Sequence, residues 1–407
     1  MLVRTPDVRP AQPGARNEGH AWFTGIRANR PVECIRLPEQ AGRLAGGFWV
    51  VVLEFDGRGR AWRFADVDRR ADLDLGDDLG DDPPSGLDGE PPGDPARWRG
   101  PTGPWRSSMS AGTYRAGVRA VHERIRAGDV YQVNLCRVLE ADLPAGREGE
   151  PDAAALGARL AAGNPAPFAG GIHVPRGGVL APTWLVSASP ERFLSVADGR
   201  VASGPIKGTA AAESGLTAKD AAENVMITDM VRNDLQRVCA PASVEVTALL
   251  AVEHHPGLVH LVSTVVGTLL PDAGWPDLLA ATYPPASVSG APKRAALDVI
   301  ADLEPVPRGP YCGAFGWVDG EAGRAELAVT IRSFWWVPEH GGRLRFGTGA
   351  GITADSDPDL EWAETELKAA RLVALAGGRT GTCEAVGEQG GTSAVDAEGS
   401  SCEDGSR

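Results

Sequence analysis

The stretch AFGWVDGEAGRAELAVTIRSFWWV, Ala314–Val337, decides the fold class. Two runs of β-branched, aromatic and small apolar residues flank the turn-forming DGEAG, so the segment reads as a β-hairpin. Working outward, the same pattern recurs. GGFWVVVLEFDGRGRAWRFADV (46–67) reads as a hairpin around Asp56-Gly57. VYQVNLCRVLEADL (130–143) reads as a strand, and TWLVSAS, RFLSVAD and RVASGPIKGT (183–209) as a meander. Residues 243–270 return to strand, and RLRFGTGAGIT (343–353) is the last one. Between them, Tyr114, Val118, Val121 and Ile125 recur at helical spacing, with Gly128 as a stop. Residues 219–238, 293–302 and 359–376 read as further helices. Hairpins outnumber βαβ units, so the expected fold is α+β: mainly antiparallel sheets with helices outside.

Composition sets the outer bounds. The 407 residues are 43% hydrophobic without an 18-residue apolar run, and residues 1–20 hold no apolar signal-peptide core. Six scattered cysteines without a CxxC pair fit reduced thiols, so a cytoplasmic protein with no zinc site and no membrane segment is expected. The net charge of −14 is local: residues 66–94 carry eleven acids against Arg69 and Arg70, and residues 378–407 carry six against two arginines. The remainder is close to neutral, and no nucleic-acid footprint is present. The Asp-, Gly- and Pro-rich segment 67–104 reads as a solvated, disordered loop closing an N-terminal subregion, 1–104. Residues 105–377 form the expected core, and 378–407 a disordered tail.

Three places attract chemistry. GPIKGTA (204–210) sets one lysine, Lys207, between a Gly-Pro turn and a Gly-Thr step, flanked by apolar segments. Taken alone, Lys207 reads as a solvated loop residue. In the helix AAENVMITDMVRNDLQRV, Glu223 shares a face with Met226, Ile227 and Met230, and a carboxylate there needs a partner or a metal. An ion pair to Arg232 would serve equally. In SDPDLEWAETELKAAR, Asp357 reads as the N-cap and Pro358 as the first helical residue. Glu361 and Glu364 then lie on one face with Lys368, next to the glycine run FGTGAGIT. Carboxylates from two helices, with no His or Cys nearby in sequence, suit a hard ion such as Mg2+.

Nine blocks carry a resemblance: AGDVYQVNLCR, SASPERFL, GPIKGT, ENVMITDMVRNDLQRV, VHLVSTVVGTL, YPPASVSGAPKRAA, RGPYCGAFGW, AVTIRSF and GTGAGITADSDPDLEWAETELKA. In this order, across roughly residues 104–376, they resemble the chorismate-utilising enzymes, which include anthranilate, aminodeoxychorismate, isochorismate and salicylate synthases. The resemblance implies two large, mainly antiparallel sheets packed together with helices outside. It also implies Mg2+ held by Glu223 and Glu364 with Glu361 assisting, and Glu191 as proton donor to a departing hydroxyl. Arg332 and Tyr311 would hold the enolpyruvyl carboxylate. Gly208, Thr209, Gly349 and Gly351 would surround the ring with donors, with His260 and Lys368 alongside.

Two positions sort the reactions. Where isochorismate and salicylate synthases carry a water-activating lysine, this chain has Gln132, which cannot act as a base. Where anthranilate synthases usually read PIAGT, it reads PIKGT, as aminodeoxychorismate synthases do. The resemblance therefore implies that Lys207 is a nucleophile, whose lone pair desolvation would free, in forming 4-amino-4-deoxychorismate for 4-aminobenzoate and folate or a related secondary metabolite. The ammonia would come from a separate glutamine amidotransferase subunit. Anthranilate formation and a non-catalytic chorismate-binding role stay as alternatives.

Overall fold

The computed structural model describes residues 19–70, 92–146, 149–210, 212–255 and 258–377. The hairpin that opened the reading is there: Ala314–Asp319 pairs with Arg324–Val329, from Ala314 opposite Val329 to Asp319 opposite Arg324. Asp319 Oδ1 accepts the Ala322 N–H at 3.2 Å, and Gly323 takes a left-handed φ of 64°, which closes the turn. On its other edge Ala314–Asp319 pairs with Phe48–Leu53. All six residues of each of these two strands are buried, which explains why FWVVVL is a continuous apolar run and not an alternating one.

All strand pairs between these described elements are antiparallel, and they link into one ribbon of strands. One half runs from the hairpin Glu245–His255/Leu258–Thr268 through residues 192–210, the central hairpins and Ile26–Leu37. The other half runs from Phe168–Val174 through Thr183–Ser189, Ser333–Val337 and Arg343–Ile352 to Gln132–Asp142. The four-residue strand His20–Phe23 pairs with Ile26–Asn29 on one side and Gly170–His173 on the other. The two expected sheets are thus the halves of one continuous sheet, clasped at His20–Phe23. The main apolar core lies between them and draws Trp49, Val50 and Phe315 from one half, and Cys136, Ile172 and Leu185 from the other.

Helices cover the outside. α1 (Ala111–Arg126) and, later in the chain, α5 (Lys293–Leu303) pack on Gln132–Asp142. α2 (Ala153–Gly163) and α6 (Pro358–Ala376) cover the same half of the sheet nearer its other strands. α3 (Ala218–Gln236) lies against the hairpin 245–268, and α4 (Trp275–Thr282) packs beside it. Thr217 and Asp220 form a capping box on α3, and Asp357 accepts the Asp359 and Leu360 N–H groups at the start of α6, as its sequence signature requires.

Two elements were not anticipated from the sequence and a third segment departs from expectation, each for a physical reason. Ile26–Leu37 is a strand although it contains Pro31, because the proline sits at a register shift where the ladder is already broken. α2, AAALGARLAAG, is buried around most of its circumference, so no amphipathic stripe marks it. The expected loop 67–104 is structured at both ends. Val67–Arg69 continue a strand, and Trp98 is buried with its Nε1 donating to Ala376 O at 2.7 Å. One indole anchors a stretch whose composition otherwise argues against burial. Residues 71–91 and 378–407, where the remaining loop and tail expectations fall, lie outside the described residues.

Candidate functional site

Lys207 sits in the strand Ile206–Ala210, which pairs with Leu258–Thr268 through a register shift between Ile206 and Thr209. Gly208 at that shift has a φ of 85°, and a Cβ there would stand 2.8 Å from the Asp220 Cβ. A bulge with a left-handed glycine re-aims the neighbouring side chain, and the lysine needs this glycine next to it. The half-buried Lys207 points across the seam between the sheet halves, toward Gly351 on Arg343–Ile352.

Gly351 is the point of convergence. A Cβ at this position would lie 2.5 Å from Gln132 Nε2, 3.3 Å from Lys207 Nζ and 3.4 Å from Glu223 Oε2. Gln132 Nε2 donates to Glu223 Oε2 at 3.1 Å. Gly351→Ala is expected to force these groups apart and to destabilise the fold by about 1–3 kcal/mol through overpacking. Denaturant unfolding measures this; a variant as stable as the parent would mean that the groups yield freely.

Glu191 is 3% exposed. Burial pushes its carboxyl up to about 7, against the opposing pull of the Ser287 hydroxyl, Lys207, the Ile206 N–H and Lys368. Arg332, held in a left-handed conformation with its carbonyl accepting the Ala188 N–H, faces Glu191; burial lowers its guanidinium from the ordinary range while Glu191 opposes that shift. Lys368 Nζ donates to Gly349 O at 3.1 Å and pairs with Glu364 Oε1 at 2.6 Å. One amine, one protonatable acid and two further cations are therefore close enough to act electrostatically on one another through Glu191.

The three expected metal carboxylates approach these groups from two helices. Glu223, on α3, is raised by burial, with Lys207 and Lys219 pulling the other way. Its partners are Gln132 and Lys219; Arg232 pairs instead with Asp229. Glu361, at the start of α6, is 3% exposed and its Oε1 accepts from Ser356 Oγ at 2.5 Å and Lys219 Nζ at 3.1 Å. Glu361 Oε2 and Gln132 Oε1 are buried without a hydrogen-bond partner. Glu364 is half-exposed; burial raises it, but Lys368 and the other lysines outweigh that and hold it below the usual range.

Among the described residues, no three His, Cys, Asp or Glu side chains form a ready metal cage. The donor types nonetheless suit Mg2+, which is bound by one or two carboxylates, waters and an anionic substrate, and Glu361 Oε2 has lone pairs that no hydrogen bond uses.

The remaining expected residues are placed less centrally. His260 is 2% exposed, its backbone opposite Thr209 in the ladder. Tyr311 is buried with its ring laid over Gly347, two positions before Gly349 on the same strand, beside Cys312 and Cys136. Two participants are new relative to the sequence reading. Lys219 is one turn before Glu223, a spacing that could have flagged it. Ser287 comes from the Pro- and Ser-rich YPPASVSG, where no single residue stood out.

Residues 52–374 match the family model described as chorismate binding enzyme. The chain is 36% identical over 284 residues to aminodeoxychorismate synthase component 1 of Salmonella typhimurium, covering 67% of this chain and 59% of that protein. It is 38% identical over 299 residues to anthranilate synthase component 1 of Thermus thermophilus, covering 70% and 61%. It thus spans about three fifths of the length of the curated relatives it matches. Anthranilate synthase component I from Streptococcus pneumoniae has the same fold, with a TM-score of 0.67 at 22% identity over 91% of this chain and 95% of that one. The menaquinone-specific isochorismate synthase of Escherichia coli also shares the fold, with a TM-score of 0.67 at 19% identity over 89% and 90%.

Proposed function

The chain belongs to the chorismate binding enzyme family, and from that premise we propose that it aminates chorismate at C4, forming 4-amino-4-deoxychorismate with ammonia from an amidotransferase partner. The observation that carries this reading is Lys207 itself, aimed at bare Gly351 beside Gln132 and Glu223. An amine at that point can attack a ring; the neutral Gln132 amide cannot activate water in its place. The relatives named component 1 support a partner subunit, which would supply the ammonia.

In this reading Lys207, as the free amine, forms a bond to C2 while both conjugated ring double bonds shift by one position and the C4–O bond breaks. Protonated Glu191 gives its proton to the departing hydroxyl, which leaves as water. Ammonia then bonds to C4, both double bonds return, and the C2–N bond breaks to restore Lys207. The proton shed by the new ammonium returns to Glu191, so the enzyme ends as it began. Glu223, Glu361 and Glu364 would hold Mg2+, whose chemistry when bound is to neutralise and fix the ring carboxylate. Arg332 suits a bidentate grip on the enolpyruvyl carboxylate.

The second reading, anthranilate formation, draws support from the equally similar Thermus thermophilus relative. Incubation with chorismate, Mg2+ and ammonium separates the two by product mass. The expected product retains the enolpyruvyl group, whereas anthranilate would form with pyruvate release. Glutamine is expected to replace ammonium only once an amidotransferase subunit is added. Anthranilate as the main product would overturn the first reading, and glutamate release by the chain alone would overturn the two-subunit view.

A further inference from the structure

Lys219 has no role in the reaction as written, yet it occupies the centre of the carboxylate group. Its Nζ lies 3.1 Å from Glu361 Oε1, 3.3 Å from Ser356 Oγ and 3.8 Å from Glu223 Oε1. The two acids belong to different helices and approach from opposite halves of the sheet, so the ammonium is the cation between them. The two sides of this arrangement differ in freedom. Glu361 is 3% exposed and fixed by Ser356, and its second oxygen is buried without a partner. The Lys219 side chain is 39% exposed, at the first turn of α3, on a flexible four-carbon stem that can carry its charge out to water.

Building on the proposed metal site, we propose that the Lys219 ammonium and a divalent cation are alternative occupants of the Glu223–Glu361 pair, and that metal binding expels Lys219 from it. Mg2+ takes oxygen ligands at about 2.0–2.1 Å, so an ion joining these carboxylates needs the space and the lone pairs that Lys219 now uses. Two cations cannot share that space at such separations, because their repulsion outweighs what either gains. Before the metal arrives, the lysine keeps a buried carboxylate from standing uncompensated, which would be costly. When the metal arrives, the lysine leaves and the carboxylates stay. Lys219 is therefore a positioning residue: it holds the empty site in its binding geometry and sets the metal affinity by competing for it.

Binding of Mg2+ alone, without substrate, tests this by calorimetry on the intact chain. Lys219→Met, which keeps the stem and removes the charge, is expected to bind Mg2+ about tenfold more tightly, since no cation has to be displaced. In chelator its melting temperature should fall below that of the parent, and Mg2+ should raise it by more than it raises the parent's. Lys219→Arg keeps a competing cation and should bind Mg2+ within about twofold of the parent. If Lys219→Met does not fold, Lys219→Gln replaces it. A charge-free variant with unchanged or weaker Mg2+ affinity, beside a parent that binds, overturns the exchange and leaves the metal site standing. A parent and variants that all fail to take up Mg2+ overturn the metal site, and the exchange with it.

Discussion

Lys207→Ala is expected to lower formation of 4-amino-4-deoxychorismate by on the order of 10³-fold or more, while chorismate and Mg2+ still bind. Covalent catalysis divides one hard displacement into two easier ones, and without the amine only the direct route at C4 is left. The truncation also empties the space above Gly351, next to Gln132 and Glu223. Ammonia or water can then approach C2, so the residual products should shift toward the anthranilate or isochorismate type. Lys207→Arg should restore little, because a guanidinium stays protonated and cannot attack. Mixing the parent protein with chorismate and Mg2+, without ammonia, should give an adduct visible in the intact mass and absent from the alanine variant. Wild-type rates of the same product from Lys207→Ala would return the residue to a loop lysine.

Glu191→Gln should cost about 10²–10⁴-fold in turnover, the usual worth of a positioned general acid. The pH dependence is the sharper signature. With its carboxyl raised to about 7, Glu191 is protonated below that pH and a donor there, and it loses the proton above it. At a fixed concentration of free ammonia, kcat/KM for chorismate should therefore fall as pH rises through about 7, and Glu191→Gln should remove that limb. Stability follows the same sign. The folded state holds this proton more tightly than the unfolded chain, so the Glu191 contribution to stability is full below the ordinary carboxylate range and is lost as pH rises to about 7. Melting curves of the parent should show that slope, and those of Glu191→Gln should lack it. A variant with the parent's basic limb intact would assign the titration to another group.

The strand and helix order was legible where pattern and geometry coincide. The hairpin 314–329 announces itself through two apolar runs and a turn, and α6 through Asp357 and Pro358. Ile26–Leu37 did not, because Pro31 and five charged or polar positions hide a strand that pairs on both edges. The candidate site was legible residue by residue but not as a set of contacts. Glu223 was marked as needing a partner, but the choice between Arg232 and Gln132 depends on a hydrogen bond spanning 91 positions. Lys219 drew no notice because a lysine in the first turn of a polar helix looks solvated; what distinguishes it is Glu361, 142 positions away. Ser287 acquires its meaning only where the chain brings it against Glu191.

The placement of these groups on opposite sides of a seam has a consequence for how the protein is made. Glu191, Lys207, Lys219 and Glu223 are all translated well before Gly351 and Glu361. At synthesis rates of about 5–20 residues per second, the 142 positions between Lys219 and Glu361 correspond to roughly 7–28 s on the ribosome. For that interval the nascent chain carries half of the candidate site, with polar groups exposed that the finished fold buries. The two sets of residues first meet when the strand Arg343–Ile352 and α6 dock.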